Sequence, residues 1–349
     1  MLLRKRISLA ALSFLSLTLI ACTSVYETVF PTLTDGRYDS EFPYKNSSKQ
    51  LEEVSNSIKL LNCIAFYNSY LFDQELKLSA KDLKRIDLEK SARNMIFFNR
   101  TASGTATVIS EDHGTITLIT VAHIVNFPDT VISYYTNPDG SVTQNIQSVS
   151  IKTRQSNYIP DLPDGGELEI VLMDKLQDIC LMGKKYQAAK GASVEVFQYP
   201  WGNSNELEWG SFVYVFGYPM NFKMISKGIV SSPGREKNSF LIDAVFNRGS
   251  SGGVVLAIRD GVPNFELVGL VKSVPADYQY TIHPITKTQE LEYNPMIPYK
   301  GEVYVQKEQV LRTGITKVIG IEAIEEFLLS NKTFLISKGY YIKSLFDRD

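Results

Sequence analysis

From Asn94 onward the chain alternates short apolar runs with polar turns. Runs rich in Val, Ile, Tyr and Thr occupy 104–110, 115–121, 130–135, 143–153, 167–173, 178–182, 211–217, 239–246, 253–258 and 265–272. Turn formers separate them, among them Asp112-His113-Gly114, Pro138-Asp139-Gly140, Asp164-Gly165-Gly166 and Asp260-Gly261. Many short strands with this punctuation predict an all-β barrel or sandwich. The period changes toward the ends. Val54, Ile58 and Leu61 sit at helical spacing and predict a helix over Glu52–Leu61. Leu83, Ile86 and Leu88 among charges predict a second helix over Ser79–Ala92, with Ser79 as its cap. Ile321, Ile324 and Leu328 predict a closing helix over Gly320–Leu329. Pro275, Pro284, Pro295 and Pro298 mark 274–305 as a long insertion.

The first residues have a pattern of their own. Arg4-Lys5-Arg6 precedes an apolar stretch from Ile7 to Ala21. That stretch is shorter than the roughly 20 residues a membrane-spanning helix needs, and it suits a cleaved signal peptide. Leu19-Ile20-Ala21-Cys22 resembles a bacterial lipobox, which implies cleavage before Cys22 and lipidation of that cysteine. The expected location is the bacterial cell envelope, lipid-anchored. Thr23 in place of aspartate points to the outer membrane where the host is Gram-negative. Residues 22–48 carry Pro31, Asp35-Gly36, Pro43 and Asn46-Ser47-Ser48 and read as a flexible tether. A coil of that length reaches roughly 25–30 Å.

Composition narrows the partners. The 349 residues carry a net charge of −2, with no basic block beyond the leader, so nucleic acid is not an expected partner. With 44% apolar residues the chain can bury one large core or two small ones. Beyond Cys22 two cysteines remain, Cys63 and Cys180. They could pair in an oxidising compartment, but the apolar context of Cys180 favours two buried thiols. No Cys/His cluster has metal-ligand spacing, and no cofactor is expected.

The candidate chemistry rests on three separated residues. Asn247-Arg248-Gly249-Ser250-Ser251-Gly252-Gly253 sets a serine in a glycine-rich turn. A serine hydroxyl needs a neighbouring base to become a nucleophile, and imidazole titrates nearest neutrality. The chain has three histidines. His123 follows an apolar strand in Thr120-Val121-Ala122-His123, whereas His113 lies in a polar turn and His283 in a late polar loop. Asp178 opens Asp178-Ile179-Cys180-Leu181 and could hold the imidazole in one tautomer. The order His123, Asp178, Ser251 is one of those in which this triad recurs. The turn could aim the amides of Gly249 and Ser251 at a developing oxyanion.

These motifs together resemble the trypsin-like serine peptidases, and among them the HtrA/Deg branch, over roughly residues 95–330. Ser103-Gly104-Thr105-Ala106-Thr107, Ile119-Thr120-Val121-Ala122-His123, Asp178-Ile179-Cys180-Leu181 and Phe216-Gly217-Tyr218-Pro219 carry the resemblance. So do Lys227-Gly228-Ile229-Val230 and Asp243–Gly253. Ser250 departs from the Asn or Asp usual before the nucleophile. Too few residues follow the last predicted helix for a PDZ domain. The resemblance implies a chymotrypsin-like double β-barrel of two six-stranded barrels, with flanking N-terminal helices and a C-terminal helix. His123 and Asp178 would lie on the first barrel and Ser251 on the second. It also implies a substrate pocket near Val245, Asn247, Val268 and Gly269. Val245, at the position where an acidic residue would select Lys or Arg, favours aliphatic side chains.

The expected organisation is a signal peptide (1–21), a lipidated tether (22–48) and a helical extension (49–93). A peptidase domain (94–330) and a tail (331–349) follow. The expected function is a membrane-anchored serine endopeptidase acting on protein or peptide substrates through an acyl-enzyme in envelope processing or quality control. The alternative is an inactive peptide-binding scaffold on the same fold. An esterase with this triad would call for a Gly-x-Ser-x-Gly elbow set between a strand and a helix, a setting the nucleophile motif lacks.

Overall fold

The computed structural model describes residues 34–137, 141–186, 194–236, 238–244, 247–273, 276–284, 296, 301, 303–311 and 314–347. The signal peptide, Cys22 and Val245 lie outside the described residues. The architecture is mostly β, as the punctuated apolar runs predict.

Helix α1 (Ser48–Ser57) leads into strand β1 (Ile58–Leu71), and a short α2 (Leu88–Ser91) precedes β2 (Asn94–Asp112). Then come β3 (Thr115–Thr120), α3 (Ala122–Val125), β4 (Thr130–Thr136), β5 (Val142–Tyr158), β6 (Glu169–Asp174) and β7 (Ile179–Lys185). The second half holds β8 (Phe212–Gly217), β9 (Met224–Glu236), β10 (Ser239–Ile242), β11 (Val254–Ile258) and β12 (Phe265–Ser273). The chain closes with β13 (Ala276–Pro284), β14 (Val303–Leu311), β15 (Thr316–Gly320), α4 (Ile321–Ser330), α5 (Lys332–Ser337) and α6 (Lys343–Phe346).

The second half closes into a six-stranded barrel, β10-β15-β12-β11-β8-β9. The first half is a seven-stranded half-barrel, β4-β5-β1-β2-β3-β7-β6, so the expected double-barrel architecture is present with this half left open rather than closed by six strands. The additional strand is β1, which pairs β2 on one side and β5 on the other.

Residues 58–71 therefore correct the sequence reading. The helical spacing of Val54, Ile58 and Leu61 straddles a junction, because the backbone turns extended at Ile58 (φ −89°, ψ 129°). Beyond it Leu61, Cys63, Ala65 and Tyr67 are buried at alternating positions, the strand period. The expected helix over 79–92 is also absent. Ser79 donates both its N–H and its hydroxyl to Asp82, and α2 begins only at Leu88, capped by the Asp87 carboxylate. The apolar residues of this segment still pack: Leu78, Leu83, Ile86 and Leu88 cover a small core of Tyr70, Phe72, Ile146 and Val149. The insertion contains a two-stranded hairpin, β13–β14, so His283 lies on a strand rather than in a loop, paired with Glu308. The closing helix α4 stands where the periodicity places it.

Both ends of the described chain dock. In the segment read as a tether, the Asp39 N–H donates to the Ile258 carbonyl at 2.9 Å, and the Phe212 N–H donates to the Asp39 carbonyl at 2.7 Å. Tyr38 is buried with its hydroxyl on Glu266. Residues after α4 bury Leu335, Tyr340, Ile342, Leu345 and Phe346 in the main core, so 332–346 complete the fold rather than trail from it. The Tyr340 hydroxyl donates to Glu169, and its ring fills the space a side chain at Gly183 would need. Among the described residues no helix is long and apolar enough to cross a membrane.

Candidate active site

His123 sits in α3, a single turn directly after β3. The β3 side chains from Ile116 to Thr120 are buried, which anchors this turn to the sheet. Asp178 ends the turn between β6 and β7. Asp174 shapes that turn, its Oδ1 accepting the N–H groups of Leu176 and Gln177 at 2.8 and 2.9 Å. Asp178 itself holds a left-handed backbone conformation (φ 66°), costly for a residue with a Cβ. The Ala122 N–H donates to its carbonyl, binding the two loops together.

The carboxylate of Asp178 grips His123 twice. Oδ1 accepts the His123 backbone N–H at 2.8 Å, and Oδ2 lies 2.9 Å from Nδ1. The carboxylate is an acceptor, so Nδ1 is the donor of this bond, and in the neutral imidazole Nε2 then carries the lone pair. The Asp178 side chain is 11% exposed and that of His123 46%. The carboxylate is thus sheltered while the imidazole faces the cleft.

Ser251 comes from the other half of the molecule, in the turn between β10 and β11. Local bonds fix this turn: Ser250 N–H to the Asn247 carbonyl, Gly253 N–H to the Ser250 carbonyl, and Gly252 N–H to the Val271 carbonyl. Gly249 and Gly252 adopt φ of 99° and 82°. A Cβ on Gly249 would run into the Tyr218 carbonyl oxygen, and one on Gly252 into that of Thr105. Both positions therefore require glycine on conformational and steric grounds. Among the described residues neither the Gly249 nor the Ser251 amide has an acceptor, as an oxyanion site would require.

His123, Gly249 and Ser251 line one cleft of about 540 Å³ between the two halves. Its other walls come from β1 (Asn62, Cys63, Ile64), from Thr101–Ser103 of β2, and from Asn221 and Arg248. No hydrogen bond joins the Ser251 hydroxyl to the imidazole among the described residues. Ser250, next to Ser251, is 1% exposed with its hydroxyl unpaired.

The expected substrate pocket fares differently. Val268 is fully buried in the core of the closed barrel, away from the cleft walls. Gly269 pairs with Gly320 across β12 and β15, and a Cβ there would meet the Ile319 carbonyl. Neither borders the cleft. Asn247 supplies a carbonyl to the serine turn, and Val245 lies outside the described residues. His113 is exposed and bonds its neighbour Asp112.

The two cysteines are free and buried. Burial pushes the Cys63 thiol up to about 12 and raises Cys180 as well, so neither is a ready nucleophile.

Sequence reading passed over Thr105. Its N–H donates to the Ser251 carbonyl at 2.8 Å, and its hydroxyl donates to the Gly249 carbonyl at 2.8 Å while accepting the Tyr218 N–H at 2.9 Å. One buried side chain thus ties the first sheet to the serine turn. Its motif is visible in the sequence, but nothing there tells a bonding threonine from an ordinary strand residue. The wall from β1 (Asn62, Cys63, Ile64) was missed because no strand was read between the expected helices over 52–61 and 79–92.

No curated protein matches the chain. The solved structure of a thermostable serine protease AL20 from an extremophilic microorganism aligns with 77% of this chain and 97% of its own, at 9% identity and a TM-score of 0.37. The family model of the trypsin-like peptidase domain matches residues 104–270, the stretch within which His123, Asp178 and Ser251 all fall.

Proposed function

We propose that the protein is a serine endopeptidase with Ser251 as nucleophile, His123 as general base and acid, and Asp178 as the orienting carboxylate. The observation that carries this reading is the pair of hydrogen bonds between Asp178 and His123, which leaves Nε2 free in a cleft shared with Ser251. In this reading Nε2 takes the Ser251 proton as Oγ attacks the scissile carbonyl carbon. The carbonyl oxygen becomes an oxyanion facing the amides of Gly249 and Ser251. The C–N bond then breaks as His123 returns the proton to the departing amine. Water, deprotonated by His123, hydrolyses the acyl ester and restores Ser251. In this reading the Ser251 hydroxyl reaches the imidazole on substrate binding, since catalytic hydrogen bonds often tighten only in the complex.

The leader and Cys22 extend the proposal to location. A lipidated Cys22 would hold the domain at a bacterial envelope membrane, where protein processing or quality control would supply its substrates. The docked residues from Tyr38 onward shorten the free spacer that the sequence pattern implies.

The second reading is a peptide-binding protein without catalysis. It is favoured by the missing bond between Ser251 and His123 and by the unpaired Ser250 hydroxyl. Hydrolysis of an unfolded protein by the mature chain, measured beside Ser251→Ala, separates the two. Cleavage that vanishes in the variant supports the peptidase. Peptide binding by both proteins with cleavage by neither supports the scaffold.

A further inference from the structure

Strand β2 runs past the cleft with one edge uncovered. Its register with β1 is unbroken from Thr107 opposite Ile58 to Asn94 opposite Leu71. Thr105 donates its N–H to Ser251 and accepts the Thr120 hydroxyl on its carbonyl, so both of its backbone groups point away from β1. In an antiparallel ladder every second residue points the same way. Ser103, Thr101, Asn99 and Phe97 therefore turn their N–H and C=O groups outward. Strand β3 covers only Thr107–Asp112. Among the described residues nothing bonds these four outward pairs. The free run ends at Met95, whose N–H is taken by the Asn94 side chain.

We propose that this edge of β2, from Ser103 to Phe97, adds an extended stretch of the substrate polypeptide as a further strand when that stretch leaves the catalytic cleft. The proposal rests on the peptidase reading for its occupant. Continuity with the cleft argues for that occupant: Thr101, Ala102 and Ser103 form its wall, beside Ser251 and His123. A chain lying across Ser251 thus meets outward backbone groups immediately beyond. Seven residues of strand, at about 3.3 Å each, give a ladder of about 20 Å. Strand addition of this kind draws affinity from main-chain bonds, which every extended peptide offers. Exposed Ile96 and Phe97, the latter 73% accessible, flank the track and favour apolar residues in the added segment. Long uncovered apolar edges are normally blunted, because they recruit other chains. A folded substrate cannot present such a segment, so the edge selects unfolded or locally extended chains.

The test compares short peptides spanning only the cleaved bond with peptides extended by about eight residues on either side. In the native protein one extended series should show kcat/KM raised about tenfold or more, the equivalent of one or two net backbone hydrogen bonds. Asn99→Pro removes one outward N–H and spares the ladder with β1, and it should bring the ratio of extended to short close to one. Asn99→Ala retains the amide and should retain the gain. Circular dichroism melts establish that each variant folds, and Thr101→Pro serves if Asn99→Pro does not. A parallel anisotropy titration of a fluorescent extended peptide uses Ser251→Ala as background and needs no catalysis. Failure of hydrolysis everywhere with proline-sensitive binding would overturn the peptidase reading alone. No length gain in either series, or a gain and a binding constant untouched by Asn99→Pro, overturns the edge proposal.

Discussion

The amide of Thr105 donates to the carbonyl of Ser251 at 2.8 Å, across the boundary between the seven-stranded sheet and the closed barrel. The bond places the serine turn against β2, the neighbour of the strand that leads to His123. The Thr105 hydroxyl also bridges Gly249 and Tyr218, so this one residue holds the serine turn through both its backbone and its side chain. The relative placement of the two halves is therefore coded by backbone bonds at the cleft, not by packing alone.

Replacing Thr105 by valine keeps the shape and removes the bridge. The buried Tyr218 N–H and Gly249 carbonyl would then lose their partner, at a cost of about 1–3 kcal/mol per group. Denaturant unfolding should show a lower midpoint for Thr105→Val. In the peptidase reading kcat should fall more than KM rises, because the turn that carries Ser251 loses its brace.

Asp178→Asn tests the tautomer argument. The amide nitrogen can donate to Nδ1, which forces the proton onto Nε2 and leaves no base toward Ser251. Steady-state assays should show kcat lowered by about 10⁴-fold with the fold intact. A loss below tenfold would mean that Asp178 does not orient the base.

The docked N-terminal segment should be sensitive to pH. Burial, together with the charges of Glu41, Asp260 and Asp35, raises Asp39 to about 6, although the Gly261 N–H bonded to its Oδ2 opposes this. The folded protein then holds a proton that the unfolded chain has already released. The stability from protonated Asp39 is present at low pH and is lost as pH rises from about 4 through about 6. Thermal melts at pH 5 and pH 7 should show the higher midpoint at pH 5, other titrations being equal. Asp39→Asn should narrow that difference; an unchanged gap would contradict the assignment.

Much of the fold could be read from the chain, for identifiable reasons. Strands β3, β7 and β11 are short apolar runs between turns, and their burial makes the pattern unambiguous. Strand β1 was lost because its first apolar residues continue the spacing of α1, so a period of 3.6 fits across a helix and strand joined without a turn. The segment 79–92 was misread because its apolar residues come from two separate short turns, Asp82–Lys84 and Leu88–Ser91, the second capped afresh by Asp87. His123, Asp178 and Ser251 stood out as candidates because each sits in a short motif of distinctive residue types, and the structure bonds Asp178 to His123 and sets His123 and Ser251 in one cleft. The cleft walls were not, since Asn62, Thr101 and Asn221 meet only through long-range pairing. Val268 was placed at a pocket through the family resemblance, and the alternation of β12 points it into the barrel core instead.

The central claim is that the Ser251 hydroxyl is activated by His123. Its most direct measurement is mass-spectrometric mapping of the adduct formed by a fluorophosphonate probe, with the labelling rate followed in the native protein and in His123→Ala. The expected result is one adduct, on Ser251, formed at a rate that collapses without the imidazole. An adduct on another residue, or a rate on Ser251 indifferent to His123, would contradict the account.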